Sequence, residues 1–339
     1  MKQKMVMCLL AGVLVLGIGG CGTQEVEVPE VENVETAEEE PVPEETAEEE
    51  GDEQEKTDAE DQLKEVPTVD DAAEPEETEA ASAPVVYEDG GQITLDPSWT
   101  YADHSKINSG AAVLYKAAEN RKEIVVGVNA GHGTSGGTKV KTLCHPDGSA
   151  KVTGGTTAAG ATEAVAVSSG MTFNDGTPES SVTLRMAQIL KEKLLAAGYD
   201  VLMLRDGDDV QLDNVARTVI CNNAADCHIA LHWDGDGLNY DKGCFYISVP
   251  DGLKSMEPVA SHWSEHNVLG SALVEGLRAQ GAKINGGGSM SIDLTQTSYS
   301  TIPSVDMELG NACSDHSDSV LDLLGNGLVQ GVNSYFGQS

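Results

Sequence analysis

The chain has 339 residues, with 56 Asp and Glu against 20 Lys and Arg, for a formal net charge of −36. The charge is uneven: residues 22–90 hold 28 acids and 2 lysines, residues 91–339 hold 28 acids and 16 bases, and residues 1–21 add 2 lysines. This excludes one uniform globular unit, and the lack of a basic face argues against nucleic acid as a partner.

The first segment, 1–21, reads as a targeting signal. Lys2 and Lys4 open it, Met5 to Ile18 is an apolar run, and Gly19 and Gly20 precede Cys21. The run is short of the roughly 20 residues that span a bilayer. Ile18-Gly19-Gly20-Cys21 resembles a bacterial lipobox, which implies lipidation at Cys21 and an extracytoplasmic protein anchored to the cytoplasmic membrane. The second segment, 22–90, is Glu, Val, Thr, Ala and Pro with almost no large apolar side chains. It cannot bury enough surface to offset its ordering entropy and is predicted to be a disordered acidic linker.

The third segment, 91–339, carries the periodicity of a folded domain. Glu123–Val128 is a short buried strand, and Glu179–Ala197 is a helix with Val182, Met186, Ile189 and Leu190 on one stripe, stopped by Gly198. Asp200–Leu204 returns as a strand, and Leu212–Ala224 is a second helix with Val215, Ala216, Val219 and Ile220 turned inward. His228–Leu231 and Gly243–Val249 are strands, Ser261–Gln280 is a helix, Met290–Leu294 and Ser304–Leu309 are strands, and Asp315–Phe336 closes the chain as a helix. The alternation predicts a single α/β domain with a central, mostly parallel or mixed sheet flanked by helices on both faces. Thr134–Asp175, rich in Gly, Thr, Ser and Ala, is too long for an ordinary connection and reads as a functional loop or inserted hairpin that would cover and gate a cleft.

Five residues stand where chemistry is expected. His132 lies between two glycines just past the first strand, where ligands bind in open α/β sheets. Glu179 opens a helix behind Pro178, a position equally suited to complementing the helix dipole. His232 ends a later strand and shares a face with His228 and Ala230. Asp306 and Glu308 share one face of a strand whose other face is Val305, Met307 and Leu309, and acids inside a strand need a reason. Two imidazoles and a carboxylate leave a fourth position on Zn²⁺ for water, and a separate carboxylate can move the proton.

The order Val128-Asn129-Ala130-Gly131-His132-Gly133, Pro178-Glu179-Ser180, Ala230-Leu231-His232-Trp233 and Val305-Asp306-Met307-Glu308-Leu309-Gly310 resembles the zinc-dependent N-acetylmuramoyl-L-alanine amidases of the family-3 type. The resemblance covers about residues 123–336. It implies His132, Glu179 and His232 as ligands of Zn²⁺, Glu308 as the catalytic glutamate, and Arg217 as a structural bridge between helix and sheet. It also implies the substrate, the amide between N-acetylmuramic acid and L-alanine in peptidoglycan, and leaves room for an activator protein. Trp233 and Asp306 are candidate substrate contacts. The passage from His132 to Glu179, 47 positions, is longer than is usual in that family.

Three other readings compete. His262-Trp263-Ser264-Glu265-His266 has inverted-zincin spacing and would make a zinc peptidase with Glu265 as base. A thiol hydrolase would need an exposed, activated cysteine, and none of Cys144, Cys221, Cys227, Cys244 or Cys313 sits in a nucleophile setting. A non-catalytic wall-binding or regulatory protein would have lost a ligand or the acid, whereas all four positions are filled.

Overall fold

A computed structural model describes residues 87–338. The expected lipidation site at Cys21 and nearly all of the acidic linker lie outside the described residues. Packed structure reaches back to Tyr87, slightly before the expected boundary at 91.

Among the described residues, ten strands and five α-helices follow one another. The strands are β1 (Gly91–Ile93), β2 (Ala112–Tyr115), β3 (Val125–Ala130), β4 (Lys141–Leu143), β5 (Glu163–Val165), β6 (Asp200–Met203), β7 (Cys227–Asp234), β8 (Cys244–Ser248), β9 (Ile284–Ser291) and β10 (Ser304–Asn311). The helices are α1 (Glu179–Ala196), α2 (Asn214–Ala224), α3 (Val259–Ala279), α4 (Thr295–Tyr299) and α5 (Asp318–Tyr335). Eight strands form one mixed sheet in the order β1-β2-β6-β3-β7-β10-β8-β9, and β4 and β5 pair as a separate antiparallel hairpin. The centre, β6-β3-β7-β10, is parallel, as expected from strands joined through helices. The predicted α/β fold class, single domain and mixed sheet are what the structure has.

Strand alternation assigns the two faces. Val126, Val128 and Ala130 of β3, Ile229 and Leu231 of β7, and Val305 and Met307 of β10 pack under α1, α3 and α5 in the main core. On the other face α2 buries Val215, Ala216, Val219 and Ile220, and Trp99 and Tyr101 pack over it. Asn129, His232, Asp306 and Glu308 point to the α2 side by the same alternation. With 11 residues, α2 is short, and the ends of β7 and β10 on that side border a cleft instead.

Several boundaries differ from the sequence-based ones. Helix α2 starts at Asn214 because the Asp213 carboxylate accepts from the Ala216 N–H at 2.8 Å and caps it. Helix α5 starts at Asp318, since Asp315 turns back to accept from the Ser317 N–H at 2.8 Å. The strand expected at Met290–Leu294 is β9, Ile284–Ser291, whose glycine-rich start hid it, and Thr295–Tyr299 forms an unforeseen short helix. The long Thr134–Asp175 stretch contains the β4–β5 hairpin, so the inserted-hairpin alternative is the one the chain adopts.

Candidate metal centre and cleft

The parallel strands deliver His132 and His232 to the same sheet edge. His132 follows β3, His232 lies near the end of β7, and Glu308 of β10 is the register partner of His232. Glu179 is the first residue of α1, so its carboxylate reaches the same point from the helix start. The three donor atoms converge: His132 Nε2 lies 2.8 Å from Glu179 Oε1 and 3.0 Å from His232 Nδ1, and His232 Nδ1 lies 3.1 Å from Glu179 Oε1. Among the described residues this is the one group of three or more His, Cys, Asp or Glu placed to share a metal ion.

Surrounding groups fix each donor. The Ser168 carbonyl accepts from His132 Nδ1 at 2.9 Å, so a neutral His132 aims the lone pair of Nε2 at the cluster. Glu179 Oε1 accepts from the Trp233 N–H at 3.0 Å and Oε2 from the Met171 N–H at 2.8 Å. Two glycines permit the close approach. A Cβ on Gly131 would lie 2.3 Å from His232 Cε1, and one on Gly170, at φ +79°, would lie 2.7 Å from His132 Cδ2. Arg217 is buried and bridges helix and sheet, donating to Asn129 Oδ1 (3.0 Å), Ala130 O (3.1 Å) and His132 O (2.7 Å).

The electrostatics call for a cation. Burial pushes the Glu179 carboxyl up, but hydrogen bonds and charge from His132 and His232 outweigh it and hold the group below the usual carboxylate range. Burial opposes a charge on His232, yet Asp306 and Glu179 lift its pKa to about 10. The Glu308 carboxyl is raised well above its ordinary value by burial and by the neighbouring charge of Asp306. With both imidazoles neutral and their lone pairs turned inward, three electron-pair donors within 3.1 Å repel one another unless a proton or a metal ion lies among them. Their separations approach the edge of about 3.3 Å expected for ligands of tetrahedral Zn²⁺, so the residues present fit such an ion.

The cleft around these residues has a volume of about 410 Å³. Asp306 and Glu308 both line it, with Asp306 Oδ2 3.8 Å from His232 Nε2. Glu308 Oε2 and Asp306 Oδ1 are buried without partners, and orphaned carboxylate oxygens of this kind mark a functional site. Trp233 does not offer a face to substrate. It is 2 % exposed and packs in the core with its ring centroid 5.8 Å from that of Phe173, serving the site through its main-chain N–H. Tyr299 is buried beneath Tyr101 and His104, away from the cleft.

The rival motifs come apart. His266 Nδ1 accepts from the Ser304 N–H at 3.0 Å inside the core, whereas His262 stays partly exposed 3.9 Å from Glu265. Cys144, Cys221, Cys227 and Cys244 are buried free thiols, and burial raises their pKa values, the reverse of an activated nucleophile. Sequence reasoning missed Ser168, Gly170 and Asp293, which lie in the insert or far along the chain and carry no motif.

Residues 126–322 match the Amidase_3 family, described as N-acetylmuramoyl-L-alanine amidase. Among solved structures, the fold is similar to that of the N-acetylmuramyl-L-alanine amidase of Mycobacterium smegmatis, with a TM-score of 0.54 and 19 % identity over 65 % of this chain and 99 % of that one. The apo enzyme of Mycobacterium abscessus is also similar, with a TM-score of 0.50 and 21 % identity over 63 % of this chain and 99 % of that one. No curated protein matches the sequence. The matched region spans more than half of the chain and contains all four site residues, and the chain belongs to the N-acetylmuramoyl-L-alanine amidase family.

Proposed function

We propose that this protein is a zinc-dependent amidase that hydrolyses the bond between the lactyl group of N-acetylmuramic acid and L-alanine in peptidoglycan. The observation that carries the reading is the convergence of His132, Glu179 and His232 within 3.1 Å of one another, beside the buried, unpartnered Glu308 in the same cleft. Family membership supports the amidase activity and the substrate.

His132 Nε2, His232 Nδ1 and a Glu179 oxygen would hold the ion. When bound, Zn²⁺ lowers the pKa of water and polarises a carbonyl oxygen. Ser168, Met171 and Trp233 keep the donors aimed through the hydrogen bonds described above. Glu308, with an oxygen free of partners, accepts the proton of the attacking water and passes it to the leaving amine of L-alanine. Asp306 holds negative charge against the far nitrogen of His232 and keeps that ring in place. Arg217 fixes the main-chain carbonyl of His132.

Placement in the cell follows from the N-terminal sequence. Lipidation of Cys21 would anchor the chain outside the cytoplasmic membrane, with residues 22–90 as the acidic spacer between anchor and domain. The test is mass spectrometry of purified peptidoglycan incubated with the protein, with and without a chelator. Stem peptides that begin at L-alanine, lost with chelator and restored by Zn²⁺, are the expected result. Cleavage within the stem peptide, or cleavage indifferent to chelator, would overturn it.

A further inference from the structure

The insert 134–175 is stitched across the cleft to a segment that lies about 140 residues later. Asp293, fully buried, is the knot. Its carboxylate faces His145 Nε2 at 3.0 Å and Lys151 Nζ at 3.5 Å, and it accepts from the Val152 N–H at 2.8 Å. Its main-chain carbonyl accepts from Lys151 Nζ, and its N–H donates to Thr153 Oγ1 at 2.8 Å. His145 is also fully buried, and its other nitrogen meets Ser149 Oγ at 2.8 Å. The insert is tied to the domain at its base too, where the Asn214 N–H donates to Ala166 O at 3.2 Å.

These contacts decide what the insert can do. Residues 155–157, 164–165 and 167–171 line one side of the cleft and residues 292–296 another, and the two are bonded to each other through Asp293. A hinged lid would have to break the contacts of Asp293 with His145, Lys151, Val152 and Thr153 together before it could open. The two rims are therefore joined across the cleft, a geometry that argues against the expected gating movement of the insert. A space of about 410 Å³ lies near the small end of the range for small-molecule pockets, roughly 300–1,000 Å³. That accommodates the groups flanking one amide, whereas a glycan strand within a cross-linked wall continues past the site and needs a groove open along its length. The net charge of −36 also disfavours adsorption to an anionic polymer.

Resting on the amidase reading, we infer that the insert is a specificity wall, that Asp293 with His145 and Lys151 pins it, and that it directs the enzyme to short soluble glycopeptides over intact cell wall. The experiment gives the zinc-loaded full chain two substrates, a disaccharide-peptide released by a muramidase and intact insoluble sacculi, and measures released stem peptide. The soluble fragment should be cut with kcat/KM higher by about tenfold or more. His145→Ala, and separately Val152→Asp at an exposed side chain packed over Gly252, should narrow that ratio by about threefold or more. Simple loss of stability would lower both rates together and leave the ratio where it was. Equal wild-type rates on the two substrates would overturn the wall inference and leave the amidase reading standing. The wall inference is equally overturned by an unchanged ratio in variants whose residues 145–160 have gained hydrogen exchange. No cleavage of either substrate by the zinc-loaded wild type would overturn the amidase reading itself, and the wall inference with it.

Discussion

Substituting Gly131 by Ala tests whether the cluster is a metal site built by close approach. The new Cβ would stand 2.3 Å from His232 Cε1, 2.5 Å from Nε2 and 2.7 Å from Nδ1. Ordinary contact begins near 3.4 Å, so the imidazole must retreat by about 1 Å. Metal ligands tolerate displacements of about 0.2 Å, and the separations of 3.0 and 3.1 Å that bring His232 Nδ1 to His132 and Glu179 would be lost. Disturbing even an outer-shell group typically costs 10–100-fold in metal affinity, so a displaced ligand should cost at least about 100-fold, or roughly 2.7 kcal/mol. The Gly131 backbone has an ordinary φ, and its carbonyl keeps the hydrogen bonds from Thr183 and Arg205, so the fold should survive. The assay is zinc competition against a chromophoric chelator, with far-UV circular dichroism as the fold check. Gly207→Ala, whose Cβ would meet nothing within 4 Å, is the control. Wild-type zinc affinity in Gly131→Ala would refute the argument.

Four further outcomes are expected. Replacing His132, Glu179 or His232 by Ala should abolish zinc uptake and hydrolysis, whereas His262→Ala should keep both; metal analysis of the purified variants checks this. Glu308→Gln should retain zinc but lower kcat by about 10²–10⁴-fold, read in a single-turnover assay. Arg217→Met should leave Asn129 Oδ1 and His132 O without a donor, while Thr134 Oγ1 still donates to Leu212 O and Arg205 Nε to Ala130 O, and cost at least about 2 kcal/mol in a urea titration. His228 and His266 are pulled down to about 3, chiefly by burial, with the charges of Arg217 and His262 adding respectively. The unfolded chain therefore binds more protons below pH 6.5, and the stability these imidazoles confer is full above that value and falls as the pH drops toward 3. Wild type should lose about 2 kcal/mol more than His228→Gln between pH 7 and pH 5, and equal losses would contradict this.

The sequence by itself determined the strands and helices of the core and the type of fold. Each of β3, β7 and β10 carries the apolar alternation that a sheet covered by helices needs, and α1 and α2 carry their stripes. It also marked His132, Glu179, His232 and Glu308, because each sits at the end or start of a regular element, and in a parallel sheet those ends gather at one edge. The parallel register Glu308↔His232 turns that gathering into contact.

Tertiary structure alone decided the rest. It split the His262/His266 pattern by burying one imidazole against the start of β10, and it turned Trp233 from the cleft into the core. It revealed β9, whose run of glycines gives no periodic signal until β8 lies beside it. It joined His145, Lys151 and Asp293 across about 140 residues of chain. Local periodicity reports which face of an element is apolar. A buried charge cluster has no period and no spacing, since its members are chosen by proximity after folding, and so the wall of this cleft could be seen only once the chain had closed upon itself.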